Sequence, residues 1–191
     1  KGNALRNLGR YEEAIAAYDA ALALQPDFSV ALSNKGIALA DLARYEEAIT
    51  AYNTALALQS NYPAALYSKG NALRNLGRYE EAIAAYDAAL ALQPDYLEAL
   101  SNKGVALANL GRYEEAITAY DAALALQPDD PGNYFHIARC YALLGKTQLA
   151  LDNLERLLEL NPERGREAVQ GEADFDSLRN HPRFKALMNG N

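Results

Sequence analysis

Tryptophan is absent from this chain, and cysteine and methionine occur once each, at Cys140 and Met188. A lone cysteine excludes an internal disulfide, and with only two histidines beside it there is no convincing set of zinc ligands. No apolar run approaches the roughly 20 residues that would span a bilayer. A cationic excess is missing too: 18 Lys and Arg stand against 25 Asp and Glu, a formal net charge of −7. That balance repels phosphate backbones and anionic lipid, so neither nucleic acid nor membrane insertion is expected. The glycines keep a regular spacing with no strand beside them, which excludes a phosphate-binding loop. No signal peptide is visible in this sequence, which does not begin with Met. The expectation is a cytoplasmic protein whose natural N-terminus is missing, because Lys1 falls inside a helical pattern.

What is abundant is alanine, leucine and tyrosine, the last at 13 residues. Alanine-rich sequence brings helices close together rather than building one thick core. The string Arg10-Tyr11-Glu12-Glu13-Ala14-Ile15 returns at Arg44, Arg78 and Arg112, a step of 34 residues. Pro26, Ser60, Pro94, Pro128 and Pro162 keep the same step, and residues 1–27 and 69–95 are identical. Ser-Asn-Lys-Gly recurs at Ser33 and Ser101, which adds a coarser period of 68. Self-similarity at such a period is the mark of stacked repeat units.

Each unit reads as two helices. The first is expected at 30–42, 64–76, 98–110 and 132–144, and the second at 46–59, 80–93, 114–127 and 148–160, with an earlier copy at 12–25. Gly9, Gly77, Gly111 and Gly145 fall between the two, where a residue free to take positive φ ends the first helix; Ala43 replaces glycine in one unit. Paired glutamates such as Glu46-Glu47 open the second helix, where the helix dipole favours acids. Pro63 and Pro131 stand where a following helix starts. Ala48, Tyr52, Ala55 and Leu56 share one face of the second helix. A single hairpin cannot bury that face, so neighbouring units must bury it together.

These columns resemble the tetratricopeptide repeat family. One unit reads Leu100, Lys103-Gly104, Leu107, Ala116, Tyr120, Ala123 and Pro128; another reads Tyr134, Ile137-Ala138, Tyr141, Ala150, Leu154, Leu157 and Pro162. Lys35, Lys69 and Lys103 depart from the family's usual leucine, and Ser60 from its proline. The resemblance covers residues 1–162. It implies an all-α fold, a right-handed α-solenoid of stacked antiparallel helix-turn-helix units at 1–28 (incomplete), 29–62, 63–96, 97–130 and 131–162. Residues 163–191 read as a C-terminal helical cap, with one helix over 163–170 and two short turns that fold Phe175, Leu178, Phe184 and Leu187 back onto the last hairpin. The other end carries no cap, so head-to-tail self-association through it is also expected.

The resemblance implies that the first helices line a concave face and that function lies on the columns not used for packing. The candidate peptide-binding residues there are Asn34, Tyr67, Asn71, Arg74, Asn75, Asn102, Phe135, His136 and Arg139. Asparagine amides both donate to and accept from a peptide backbone, arginine forks onto carboxylates, and Tyr67 and Phe135 offer apolar anchors. The family's carboxylate clamp for chaperone tails is excluded. Asn71 and Asn102 match its asparagines, but Tyr67, Gly132 and His136 replace its cations. A peptide with an acidic end near Arg74 and Arg139 stays open.

Catalysis is not expected. His136 and Cys140 lie four apart on a helix, but Cys140 fills a column held by Ala38, Ala72 and Ala106 and reads as a packed thiol. The expected function is a non-catalytic scaffold for proteins or extended peptides, with no cofactor. The alternatives are a regulatory or oligomerisation module of a larger enzyme or signalling protein and, third, an RNA-binding helical repeat, which the acidic balance disfavours. Replacing Asn71, Arg74 and Asn102 by alanine is expected to abolish partner capture with unchanged melting.

Overall fold

Alanine- and leucine-rich segments punctuated every 34 residues fold into paired helices in a computed structural model that describes residues 1–190. Asn191, the last residue of the expected cap, lies outside the described residues. The chain forms two compact units, one spanning Lys1–Ala99 and one beginning at Leu100.

The first unit contains α1 (Gly2–Asn7), α2 (Tyr11–Leu24), α3 (Ser29–Asp41), α4 (Tyr45–Leu58), α5 (Pro63–Asn75) and α6 (Tyr79–Leu92). Helix α7 (Leu97–Asn109) begins just before the unit boundary. The second unit continues with α8 (Tyr113–Leu126), α9 (Pro131–Leu143), α10 (Thr147–Leu160), α11 (Pro162–Gly171), a 3-10 helix (Ala173–Leu178) and α12 (Pro182–Asn189).

Each of helices α2–α10 starts one residue earlier than the sequence pattern suggests, and for the second helix of a pair the turn explains why. After α5, the Gly77 N–H donates to the Arg74 carbonyl at 2.9 Å and the Arg78 N–H to the Leu73 carbonyl at 3.0 Å. This is the paired closure of a Schellman turn. Arg78 is thus both the last residue closing α5 and the N-cap of α6, so only Leu76 and Gly77 separate α5 from that cap. The Arg78 guanidinium then grips Glu81 through Nε–Oε1 at 2.6 Å and Nη2–Oε2 at 2.7 Å. The same grip recurs at Arg10–Glu13, Arg44–Glu47 and Arg112–Glu115. The hydrogen bond from Arg78 holds the Glu81 carboxyl below the usual carboxylate range. These pairs are exposed and screened, so they fix turn geometry more than they add stability.

At the corresponding turn after α3, Ala43 takes φ +57°, where Gly77 takes +74°. A Cβ in the left-handed region costs roughly 1–2 kcal/mol. Glycine regains part of that and loses some to chain entropy. Ala43→Gly is therefore expected to stabilise the fold by about 1 kcal/mol, read as a raised midpoint in chemical denaturation. An unchanged or lowered midpoint would show that this turn carries no strain.

The interior is built on a tyrosine–glycine match. Tyr52, Tyr86 and Tyr120 are buried to within 1% exposure. Each ring lies on a glycine of the first helix of its own pair: Gly36, Gly70 and Gly104. A methyl group at Gly70 would sit 2.5 Å from Cε1 of Tyr86. In the last pair Ala138 holds the glycine column and Leu154 the tyrosine column, both buried. The smaller leucine leaves room for the alanine methyl group.

Beyond α10 the chain folds back. Val169, Phe175, Leu178 and Phe184 join Ala150, Leu151, Leu154 and Leu157 in one buried cluster, with Leu187 packed partly against it. Arg183 ties α12 to Asp152 and Glu155 of α10. The four apolar residues expected to cover the last hairpin do so. Head-to-tail stacking of a second copy through that face of α10 would have to displace this tail.

Candidate functional site

Packing consumes some of the candidate residues and leaves others at the surface. In the first unit, Asn34 on α3 is half-buried, and Arg74 and Asn75 occupy the last turn of α5, Asn75 fully exposed. Tyr67 belongs to an aromatic group, its ring 6.1 Å from Tyr86 and 4.9 Å from Tyr96. Burial pushes the Tyr96 phenol up to about 12.

Asn71 has a structural duty. Its Oδ1 accepts the Tyr86 hydroxyl at 2.8 Å, as Asn3 accepts Tyr18 at 2.6 Å. Where that column is Ile37, the Ser68 side chain on the next pair acts on the buried Tyr52 phenol. Where it is Val105, Tyr120 carries a stacked His136 ring at 5.3 Å and 15°. The 68-residue period thus alternates an asparagine acceptor with an apolar residue beside the buried phenol. Asn71→Ala removes the acceptor of a buried hydroxyl at a cost of about 1 kcal/mol. The expectation that an Asn71 variant leaves melting unchanged is therefore withdrawn.

In the second unit, Asn102 lies half-buried on α7. Phe135 turns its ring edge onto Phe175 at 5.7 Å and supports the tail. His136 and Arg139 come together on the wall of a cavity of about 280 Å³, with Val105, Ala108 and Asn109 from α7, Tyr113 and Tyr120 from α8, Cys140 and Leu143 from α9, and Asp174 from the 3-10 helix. Burial, then the nearby Arg139 charge, lower the His136 pKa, so the ring is neutral at pH 7.

Arg139 is engaged by the tail. Its Nε and Nη2 donate to Oδ2 of Asp174 at 2.8 and 2.6 Å, and Glu172 lies 3.2 Å from Nε. Sequence reasoning missed Asp174 and Glu172, because neither belongs to the 34-residue pattern and no local motif singles them out.

Cys140 is 2% exposed, and burial pushes its thiol up to about 11. The His136 ring stacks on Tyr120. The raised pKa keeps the thiolate scarce, and burial keeps reagents away from it. Cys140 is expected to react with an aromatic disulfide reagent at pH 8 only as fast as the chain unfolds, and at once in denaturant. Rapid labelling of the folded protein would contradict this packing. Among the described residues no three of His, Cys, Asp and Glu gather as metal ligands would, and no helix is long and apolar enough to cross a membrane.

Repeated helix pairs, closed by the same two-residue turn and packed through the same tyrosine column, define an all-α helical-repeat solenoid. Tetratricopeptide-repeat family models match residues 1–65, 67–131 and 107–171. The chain belongs to the tetratricopeptide repeat family. Among solved structures it is similar to MamA, residues 41 to the end, from Desulfovibrio magneticus RS-1, with 25% identity, TM-score 0.80, and 84% of this chain and 91% of that one covered. It is also similar to a thermophilic repeat protein of Thermus thermophilus, with 25% identity, TM-score 0.67, and 88% and 95% covered. YrrB, described as a repeat protein with an unusual peptide-binding site, shares the fold at 24% identity and TM-score 0.77, with 88% of each chain covered. No curated protein matches the chain by sequence.

Proposed function

We propose that this chain is a non-catalytic scaffold that holds an extended peptide or protein segment along the faces of its first helices. The observation that carries this reading is a division of labour between columns. Glycine, alanine, leucine and tyrosine columns do the packing, while half-buried Asn34, Tyr67 and Arg74 and exposed Asn75 of the first unit lie on other columns. Polar and aromatic groups presented on rigid helices, rather than on loops, suit recognition of an extended backbone. The family's use of stacked pairs as extended binding surfaces supports the same reading.

The test is selection of random dodecapeptides on the intact chain, followed by affinity measurement on a variant carrying Asn34→Ala, Arg74→Ala and Asn75→Ala. Asn71 is spared because of its bond to Tyr86. Binding is expected to weaken at least tenfold. Melting of the variant is measured beside that of the intact chain, so that affinity is compared on folded protein. Equal affinity for both proteins would move the site away from these faces.

A further inference from the structure

We infer that the cavity of the second unit receives a cationic side chain, lysine or arginine, from the bound peptide. This rests on the peptide-binding reading above and reverses the polarity expected from Arg139 alone. Both Arg139 bonds to Asp174 fall on Oδ2. Among the described residues no donor reaches Oδ1 of Asp174, a residue on the cavity wall. Both oxygens of Glu172 have a partner, Oε2 at Arg139 and Oε1 accepting the Asp174 N–H at 3.3 Å.

Two carboxylates therefore face one guanidinium. After Arg139, whose charge acts most strongly on both His136 and Cys140, the other charges acting there are acids. Glu114 acts on Cys140, and Asp130 on His136. Lys146, the other cation nearby, lies 3.7 Å from Glu114 and so offsets that acid. His136 is neutral and adds no charge at pH 7. A guest carboxylate would meet net negative charge, whereas a guest cation would complete the unused oxygen of Asp174.

Shape agrees with charge. Val105, Ala108 and Leu143 give apolar walls, while Asn109, His136 and the Arg139–Asp174 pair give the polar side. A long basic side chain has the same division, an aliphatic stem with a charged tip. At about 280 Å³ the cavity lies at the lower edge of small-molecule sites, roughly 300–1,000 Å³. One side chain suits that volume better than a cofactor does.

The experiment uses dodecapeptides selected on the intact chain, measured by fluorescence anisotropy against the intact protein, Asp174→Asn and Ala108→Leu. The second variant fills the cavity and leaves the Arg139–Asp174 pair in place, so it decides the matter if Asp174→Asn loosens the tail. Enrichment of Lys or Arg is expected. Affinity should fall at least tenfold in each folded variant, and as much when the peptide's basic residue becomes norleucine. Selected peptides without a basic residue, or equal affinity for Ala108→Leu, would overturn the inference. The scaffold reading would still stand if those peptides lost affinity for the Asn34, Arg74 and Asn75 variant. Failure to select any peptide would overturn both.

Discussion

Phe175→Ala is expected to destabilise the second unit by about 3–5 kcal/mol, the usual cost of emptying a fully buried phenylalanine site. Phe175 has no exposed surface, and its ring meets the edge of Phe135 at 5.7 Å. Together with Leu178 it joins the 3-10 helix to the buried cluster on α10. That helix is six residues long and has little stability of its own. Loss of the ring should therefore release its neighbours Glu172 and Asp174, and with them the partners of Arg139. Urea denaturation followed by circular dichroism would show an early transition confined to the last helices. A shift of less than about 1 kcal/mol would mean that the tail is held elsewhere, through Phe184 and Arg183, and that Phe175 is dispensable.

Gly70→Ala is expected to cost about 1–3 kcal/mol, although alanine is the better helix former by about 1 kcal/mol. The added methyl group would come within 2.5 Å of a ring carbon of Tyr86. That ring has no exposed surface into which to swing, so α5 and α6 must part instead. The control is the double variant Gly70→Ala with Tyr86→Leu, which copies the native pairing of Ala138 with Leu154. It should lose less than the sum of the two single changes, with a coupling of about 1 kcal/mol or more in a double-mutant cycle. Additive losses would show that the two positions do not touch in solution.

Periodicity made most of the fold legible. Tyr11, Tyr45, Tyr79 and Tyr113 marked one edge of each pair before any coordinate was known, and Phe175, Leu178, Phe184 and Leu187 marked the tail's inward face. Starts of the second helices were misjudged by one residue because a residue such as Arg78 closes one helix while opening the next, a double use that spacing does not reveal. The candidate site was harder to read. The columns gave Asn71 and Arg139 the same standing as Asn75. Asn71 nevertheless serves a buried hydroxyl and Arg139 is held by Asp174, and both partners are set by tertiary packing. Asp174 lies 35 residues from Arg139 and outside the repeat, so only folding brings them together.

The shared turn residue also limits how such a chain can change length. With Arg78 belonging to two helices at once, a single inserted residue has no slack to occupy and would rotate the following helix by roughly 100°. Tyr86 would then swing away from Gly70. Addition or loss of a whole 34-residue cassette restores every turn and every ring-to-glycine match. Reach along a partner is therefore adjustable only in whole cassettes, and frame-preserving insertions of one or two residues should abolish folding where a duplicated cassette does not.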